Sequence, residues 1–133
     1  MKTFINLPVS DLDRSKRFFT ELGFDFDPEV TDENASCVIL GQDSYVMLLT
    51  ESFFGRFTRH EVVDATRATE VIIALNVDSR GEVDDLVGRA LAAGAELGID
   101  AIDEGPMYSR NFHDPDGHLW EAFYMDPSAF SAD

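Results

Sequence analysis

Two stretches of this chain follow one plan, and that repeat limits the possible folds more than any other feature. Residues 5–24, INLPVSDLDRSKRFFTELGF, and residues 73–97, IALNVDSRGEVDDLVGRALAAGAEL, each run an alternating apolar strand into a capped helix that stops at a glycine. In the first, Ile5, Leu7 and Val9 alternate with Asn6 and Pro8, the period of a strand with one face on a helix layer. Ser10 is the expected N-cap, with Asp13 near the positive end of the helix dipole. Leu12, Phe18, Phe19 and Leu22 form the apolar stripe, and Gly23 is the stop. In the second, Ser79 and Glu82 make a capping box, Val83, Leu86, Val87, Ala90 and Leu91 fall at helical spacing, and Gly94 ends the helix.

Strands follow each helix. Residues 24–27, 35–40 and 45–50 read as strands in the first half; residues 108–113 and 118–125 do so in the second, around the tight turn Asp114-Pro115-Asp116-Gly117. Each half therefore reads β-α-β-β-β, and the fold class is α+β: one domain of two modules, about residues 1–60 and 68–126. The connector carries Phe53, Phe54 and Phe57 beside Arg56, Arg59 and His60; its large apolar side chains favour docking on the sheet over holding a cofactor.

Composition excludes several functions. With 26 acidic against 10 basic residues the net charge is −16, which repels phosphate backbones and anionic lipid, so neither nucleic acid nor membrane is an expected partner. The longest strongly apolar run, residues 71–75, is far below the ~20 residues that span a bilayer. Cys37 is the only cysteine, so there is no disulfide scaffold. The N-terminus has the pattern of neither a signal nor a transit peptide, and the expected location is cytoplasmic.

The duplicated halves, the segment NLPVSDLDRSKRFFTELGF and the hairpin FHDPDGHLWEAF resemble the vicinal oxygen chelate superfamily, which includes glyoxalase I, bleomycin and fosfomycin resistance proteins and extradiol dioxygenases. The YVMLLTE, DATRATEV and DPDGHLWE segments are similar to those of small bacterial proteins called predicted lactoylglutathione lyases. The resemblance covers nearly the whole chain. It implies a curved mixed sheet forming a cup, helices on the convex face, a small-molecule ligand in the cup and assembly as a homodimer. In the enzymes it also implies a divalent metal held by His, Gln or Glu ligands, two from each half. Carried over position by position, the ligand sites fall on Phe4, Met47, Ile72 and Glu121, and only Glu121 matches. A shift of two residues along the same face brings in Asn6, Leu49 and Ala74, no better as ligands for a hard cation. No cofactor is therefore expected, and a divalent metal is not favoured.

Glu121 is the candidate catalytic residue. Period two puts it on the face of Leu119 and Phe123, where an unpartnered carboxylate costs several kcal/mol. The functional reading is a general base, a ligand anchor or a relict metal ligand. The structural reading is an ion pair with Arg110, Arg56 or Arg59. Around it the expected ligand-binding face holds Phe4, Asn6, Met47, Leu49, Ile72, Ala74, Leu119 and Phe123, with Tyr108 and Arg110 at the rim. That oily surface with one acid suits a small, largely apolar ligand. His60, His113 and His118 lie away from the ligand positions, and Cys37 reads as a buried small hydrophobe. The acidic stretches 11–13, 32–33 and 84–85 read as solvated faces.

Three functions follow. The leading one is a glyoxalase/bleomycin-resistance-like protein that binds a small ligand without the usual metal. The others are a metal-dependent lyase or isomerase of the glyoxalase I type, and a non-catalytic dimeric scaffold whose cup is filled by its own side chains.

Overall fold

The alternation of Ile5, Leu7 and Val9 turns one face of strand β1 (Thr3–Val9) inward, with Leu7 and Val9 buried. Helix α1 (Leu12–Glu21) follows, capped by Asp11 and not by Ser10. Asp11 is the residue with extended backbone, and its carboxylate accepts the Arg14 amide, while the Ser10 hydroxyl accepts from the Arg14 guanidinium instead. Phe18, Phe19 and the C-cap Leu22 are buried, and Gly23 follows with positive φ. Strands β2 (Asp25–Asp27), β3 (Ala35–Ile39) and β4 (Ser44–Thr50) complete a sheet of order β1-β4-β3-β2, parallel at β1–β4 and antiparallel elsewhere. Short helix α2 (Glu51–Gly55) leaves β4 directly.

The computed structural model describes residues 1–130, and its backbone divides into two compact units, Met1–Asp64 and the chain from Ala65 onward. In the second unit β5 (Ile72–Asn76) leads to α3 (Arg80–Ala92). The expected capping box is present: the Ser79 hydroxyl accepts the Glu82 amide, and the Glu82 carboxylate accepts the Asp78 amide. Val83, Val87 and Ala90 are buried, and Gly94 has positive φ. Strands β6 (Glu96–Leu97), β7 (Ile102–Glu104), β8 (Met107–His113) and β9 (Leu119–Met125) form a sheet of order β5-β9-β8-β6, with β7 also paired to β8. The short strand that the repeat requires after α3 is thus split into β6 and β7, whose strand state comes from pairing with β8 and not from any periodicity of their own.

Each unit has α+β content and an open mixed sheet with a long helix packed on it, the paired βαβββ plan. Helix α1 packs on β3 and β4, and α3 on β8 and β9. Among the described residues no helix is long and apolar enough to cross a membrane.

Candidate functional site

In the first unit the parallel register sets Phe4 beside Tyr45, Asn6 beside Met47 and Pro8 beside Leu49, and antiparallel pairing adds Cys37 next to Met47 and Ala35 next to Leu49. Parity places these side chains on the face opposite Leu7, Val46 and Leu48. Because α2 starts where β4 ends, the chain turns back over β1 and β4 and carries Phe53, Phe54 and Phe57 with it. The rings do not close down on the strands. They leave a cavity of about 560 Å³ lined by Asn6, Ala35, Met47, Leu49, Phe53, Phe54 and Phe57. Phe53 and Phe57 meet edge to face at 5.1 Å, and the Arg56 guanidinium lies 5.7 Å from the Phe53 ring centroid. Among the described residues Asn6 is the one polar side chain in the lining, and no charged residue contributes to it.

Asn6, Met47 and Leu49 are therefore brought together around one cavity. Phe4 shares their face but stacks on Tyr45 at 4.7 Å and stays 47% exposed. The three phenylalanines of the cavity wall carried no strand periodicity; their clustering at positions 53, 54 and 57 directly after an apolar strand was the available signal. Cys37 is fully buried, and burial pushes its thiol pKa up, away from the thiolate that nucleophilic chemistry needs.

In the second unit β5 and β9 pair so that Ile72 meets Leu119, Ala74 meets Glu121 and Asn76 meets Phe123. Glu121 therefore shares a face with Ile72, Ala74, Leu119 and Phe123. On its other side its partner is Asn111 of β8, a buried residue whose side-chain oxygen accepts the Ile99 amide. Gly98 approaches so closely that a Cβ there would overlap the Asn111 side chain, which holds that amide in place. Glu121 itself is only half-buried. Water reaches it, and this relieves the cost that its apolar neighbours would otherwise impose.

Tyr108 and Arg110 are corrected from the rim to the opposite face. Arg110 is in register with Ala122, not Glu121, so both side chains point to α3. The Tyr108 hydroxyl donates to Asp84 at 2.6 Å and the Arg110 guanidinium donates to the same oxygen at 3.1 Å. The ion pair considered between Arg110 and Glu121 is therefore replaced by one with Asp84. Tyr108 is the first cause, with Arg110 behind it, holding the Asp84 carboxyl below its usual range; Asp84 in turn raises the Tyr108 phenol. Arg80 lies over the Tyr108 ring at 4.9 Å and forks onto Asp103. Asp84 is thus a working part of the helix-to-sheet contact as well as a solvated acid.

Among the described residues the acid most removed from water is Asp114, 5% exposed, and sequence reasoning assigned it only to the turn. One oxygen accepts the amides of Asp116 and His118, at 2.9 and 3.0 Å, and the other accepts the Trp120 indole N–H at 3.0 Å. Burial pushes its carboxyl up from the usual carboxylate range, against the neighbouring His118 and these donors. The signal was an Asp opening a Pro-Asp-Gly turn six residues before a tryptophan. His113 also serves this hairpin, its Nδ1 lying 3.0 Å from the Gly117 carbonyl and donating to it.

The donors at the expected ligand positions can now be compared with the needs of a divalent ion. In the first unit they are a phenyl ring and a thioether, with one side-chain amide in register beside the thioether. In the second they are a branched alkyl side chain, a methyl and one carboxylate. Hard cations need several oxygen or imidazole donors. Among the described residues no three His, Cys, Asp or Glu side chains gather to hold a metal.

The family described as bleomycin resistance protein-like N-terminal matches residues 2–41. The fold is similar to that of the hypothetical protein SA1046 from S. aureus, with a TM-score of 0.80, 27% identity and 93% of each chain covered. A glyoxalase-related enzyme from Fulvimarina pelagi matches at a TM-score of 0.78 and 26% identity, over 93% of this chain and 87% of that one. A glyoxalase/bleomycin resistance protein/dioxygenase family enzyme from Burkholderia phytofirmans PsJN shares the fold at 0.76 and 17% identity, over 92% and 96%. No curated protein matches the sequence. Two βαβββ units, a match of residues 2–41 to the bleomycin resistance protein-like family and solved structures of this fold along the length of the chain together support the vicinal oxygen chelate superfamily.

Proposed function

We propose that the protein binds a small, largely apolar molecule in the cavity of its first unit, and does so without a resident metal. The cavity itself carries this reading: about 560 Å³ walled by three phenyl rings, a thioether, two aliphatic side chains and one amide. Its volume falls in the range of small-molecule sites, and an apolar wall with a single polar group is the usual composition of such sites. An open cavity on this face also favours binding over a scaffold filled by its own side chains. The apolar residues at three of the four expected ligand positions argue against a lyase of the glyoxalase I type, whose chemistry needs the metal as Lewis acid.

The test is thermal melting of the full chain in chelator-treated buffer with a panel of neutral one- to three-ring aromatics. Ligand at ~100-fold above its Kd raises the melting temperature by on the order of 5–10 °C. A shift that appears only when Mn, Ni or Zn is added, and is lost in Glu121→Ala, would overturn the metal-free reading. No shift with any compound would favour the filled scaffold.

The assembly proposed is a homodimer. Both outer edges of the second sheet carry exposed apolar side chains, Val71 and Ile72 at β5 and Leu97 and Ile99 at β6, surface that an isolated chain leaves in water. Light scattering should return twice the 14.8 kDa of the chain. A mass of one chain at every concentration tried sinks it.

A further inference from the structure

We infer that the molecule taken by this cavity is a neutral aromatic of two or three rings that carries one hydrogen-bond donor, a ring hydroxyl or a ring N–H. The inference rests on the ligand-binding reading above and specifies its substrate class. Size comes first. An apolar cavity of ~150 Å³ holds a single benzene ring, and this one is several times larger, at about 560 Å³.

Shape and polarity follow from the walls. Phe53 and Phe57 stand edge to face, and Phe54 and the Met47 thioether lie in the same lining, so a flat π-system meets aromatic rings and a polarisable sulfur. Among the described residues no charged side chain lines the space, so an ammonium or carboxylate drawn into it would lose its water without gaining a counter-charge. The Arg56 guanidinium lies against the Phe53 ring and is not one of the residues that line the cavity. The ligand is therefore neutral where it is enclosed, and the −16 of the chain does not select it there.

The donor requirement comes from Asn6. Its Nδ2 donates one N–H to the Phe4 carbonyl at 3.4 Å, which leaves the second N–H and the side-chain oxygen to engage a ligand. The oxygen accepts and cannot donate, so a ligand O–H or N–H satisfies it, and a hydroxyl can also accept from the second N–H; an ether or ketone pairs with that N–H alone and leaves the amide oxygen unpaired once water is displaced. A site built to bond a donor discriminates against the analogue that lacks it.

The test compares 2-naphthol with 2-methoxynaphthalene and naphthalene by calorimetric titration of the full chain at neutral pH. 2-Naphthol binds about tenfold more tightly than its methyl ether. In Asn6→Leu that preference disappears while naphthalene binds at least as well as before. Equal affinities on the parent protein would overturn the donor rule and leave the ligand-binding reading standing. No binding by any of the three would overturn both. A preference that survives in Asn6→Leu would remove Asn6 from the role. The parent-protein comparison stays decisive even if the variant fails to fold.

Discussion

Gly117→Ala lowers the melting temperature by on the order of 10–20 °C. Gly117 has φ of +91°, a conformation that costs an L-residue ~1–2 kcal/mol, and it lies at the tip of the hairpin between β8 and β9. The larger contribution is steric. A Cβ there would sit 2.6 Å from the Ala65 carbonyl oxygen and 2.7 Å from the Thr66 nitrogen, both backbone atoms, so a side chain cannot simply rotate out of the way. Forced overpacking adds roughly 1–3 kcal/mol, and each kcal/mol moves the melting point of a chain this size by about 3–5 °C. Gly41→Ala is the control, since its Cβ meets nothing within 4 Å. Calorimetric scans of the two variants settle the matter, and equal small shifts in both would show that the 65–66 segment does not rest on the hairpin.

Asp114→Asn costs on the order of 2–4 kcal/mol at neutral pH, read from urea unfolding. The side-chain oxygen of asparagine can still accept from Asp116 and His118, but its NH2 then faces the Trp120 indole N–H, donor against donor. The pH dependence runs opposite to that of most carboxylates. Burial raises the folded carboxyl above its unfolded value, so folding favours the proton. The stability tied to that proton is whole below the ordinary carboxyl range and is lost as pH rises through the raised value. The amide of the variant cannot titrate, so the gap between parent and variant narrows as pH climbs from about 4, the ordinary carboxyl value. A variant as stable as the parent would mean that water replaces the carboxylate at no cost.

The sequence made the modules legible because their signals are local. Ser79, Glu82 and Gly94 bound α3 by chemistry that needs nothing beyond the helix itself. The cap of α1 moved by one residue, from Ser10 to Asp11, because two adjacent good caps compete and only the backbone decides. Tyr108 and Arg110 changed faces for a related reason. Residues 108–111 alternate polar with polar, so period two has no apolar reference until Arg110 is found opposite Ala122. The costly acid was misplaced too: alternation drew notice to Glu121, which is half-exposed, while Asp114 is buried by contacts to Trp120 that no window of sequence spells out. At the cavity, Asn6, Met47 and Leu49 were readable from strand parity. The docking of Phe53, Phe54 and Phe57 on the sheet was readable as well, but the cavity they wall was not, because it depends on how α2 folds back over the strands.

The two parallel ladders are in phase, Asn6 beside Met47 in one and Ala74 beside Glu121 in the other. Duplication has therefore left two equivalent addresses with different contents, an amide and a thioether at the first, a methyl and a carboxylate at the second. Each can drift under selection without breaking a backbone bond of its own ladder, since side chains at these positions stand clear of the strand-to-strand pairing. One copy can thus carry an apolar lining while the other keeps a single acid, a difference that an unduplicated sheet has no spare copy to explore.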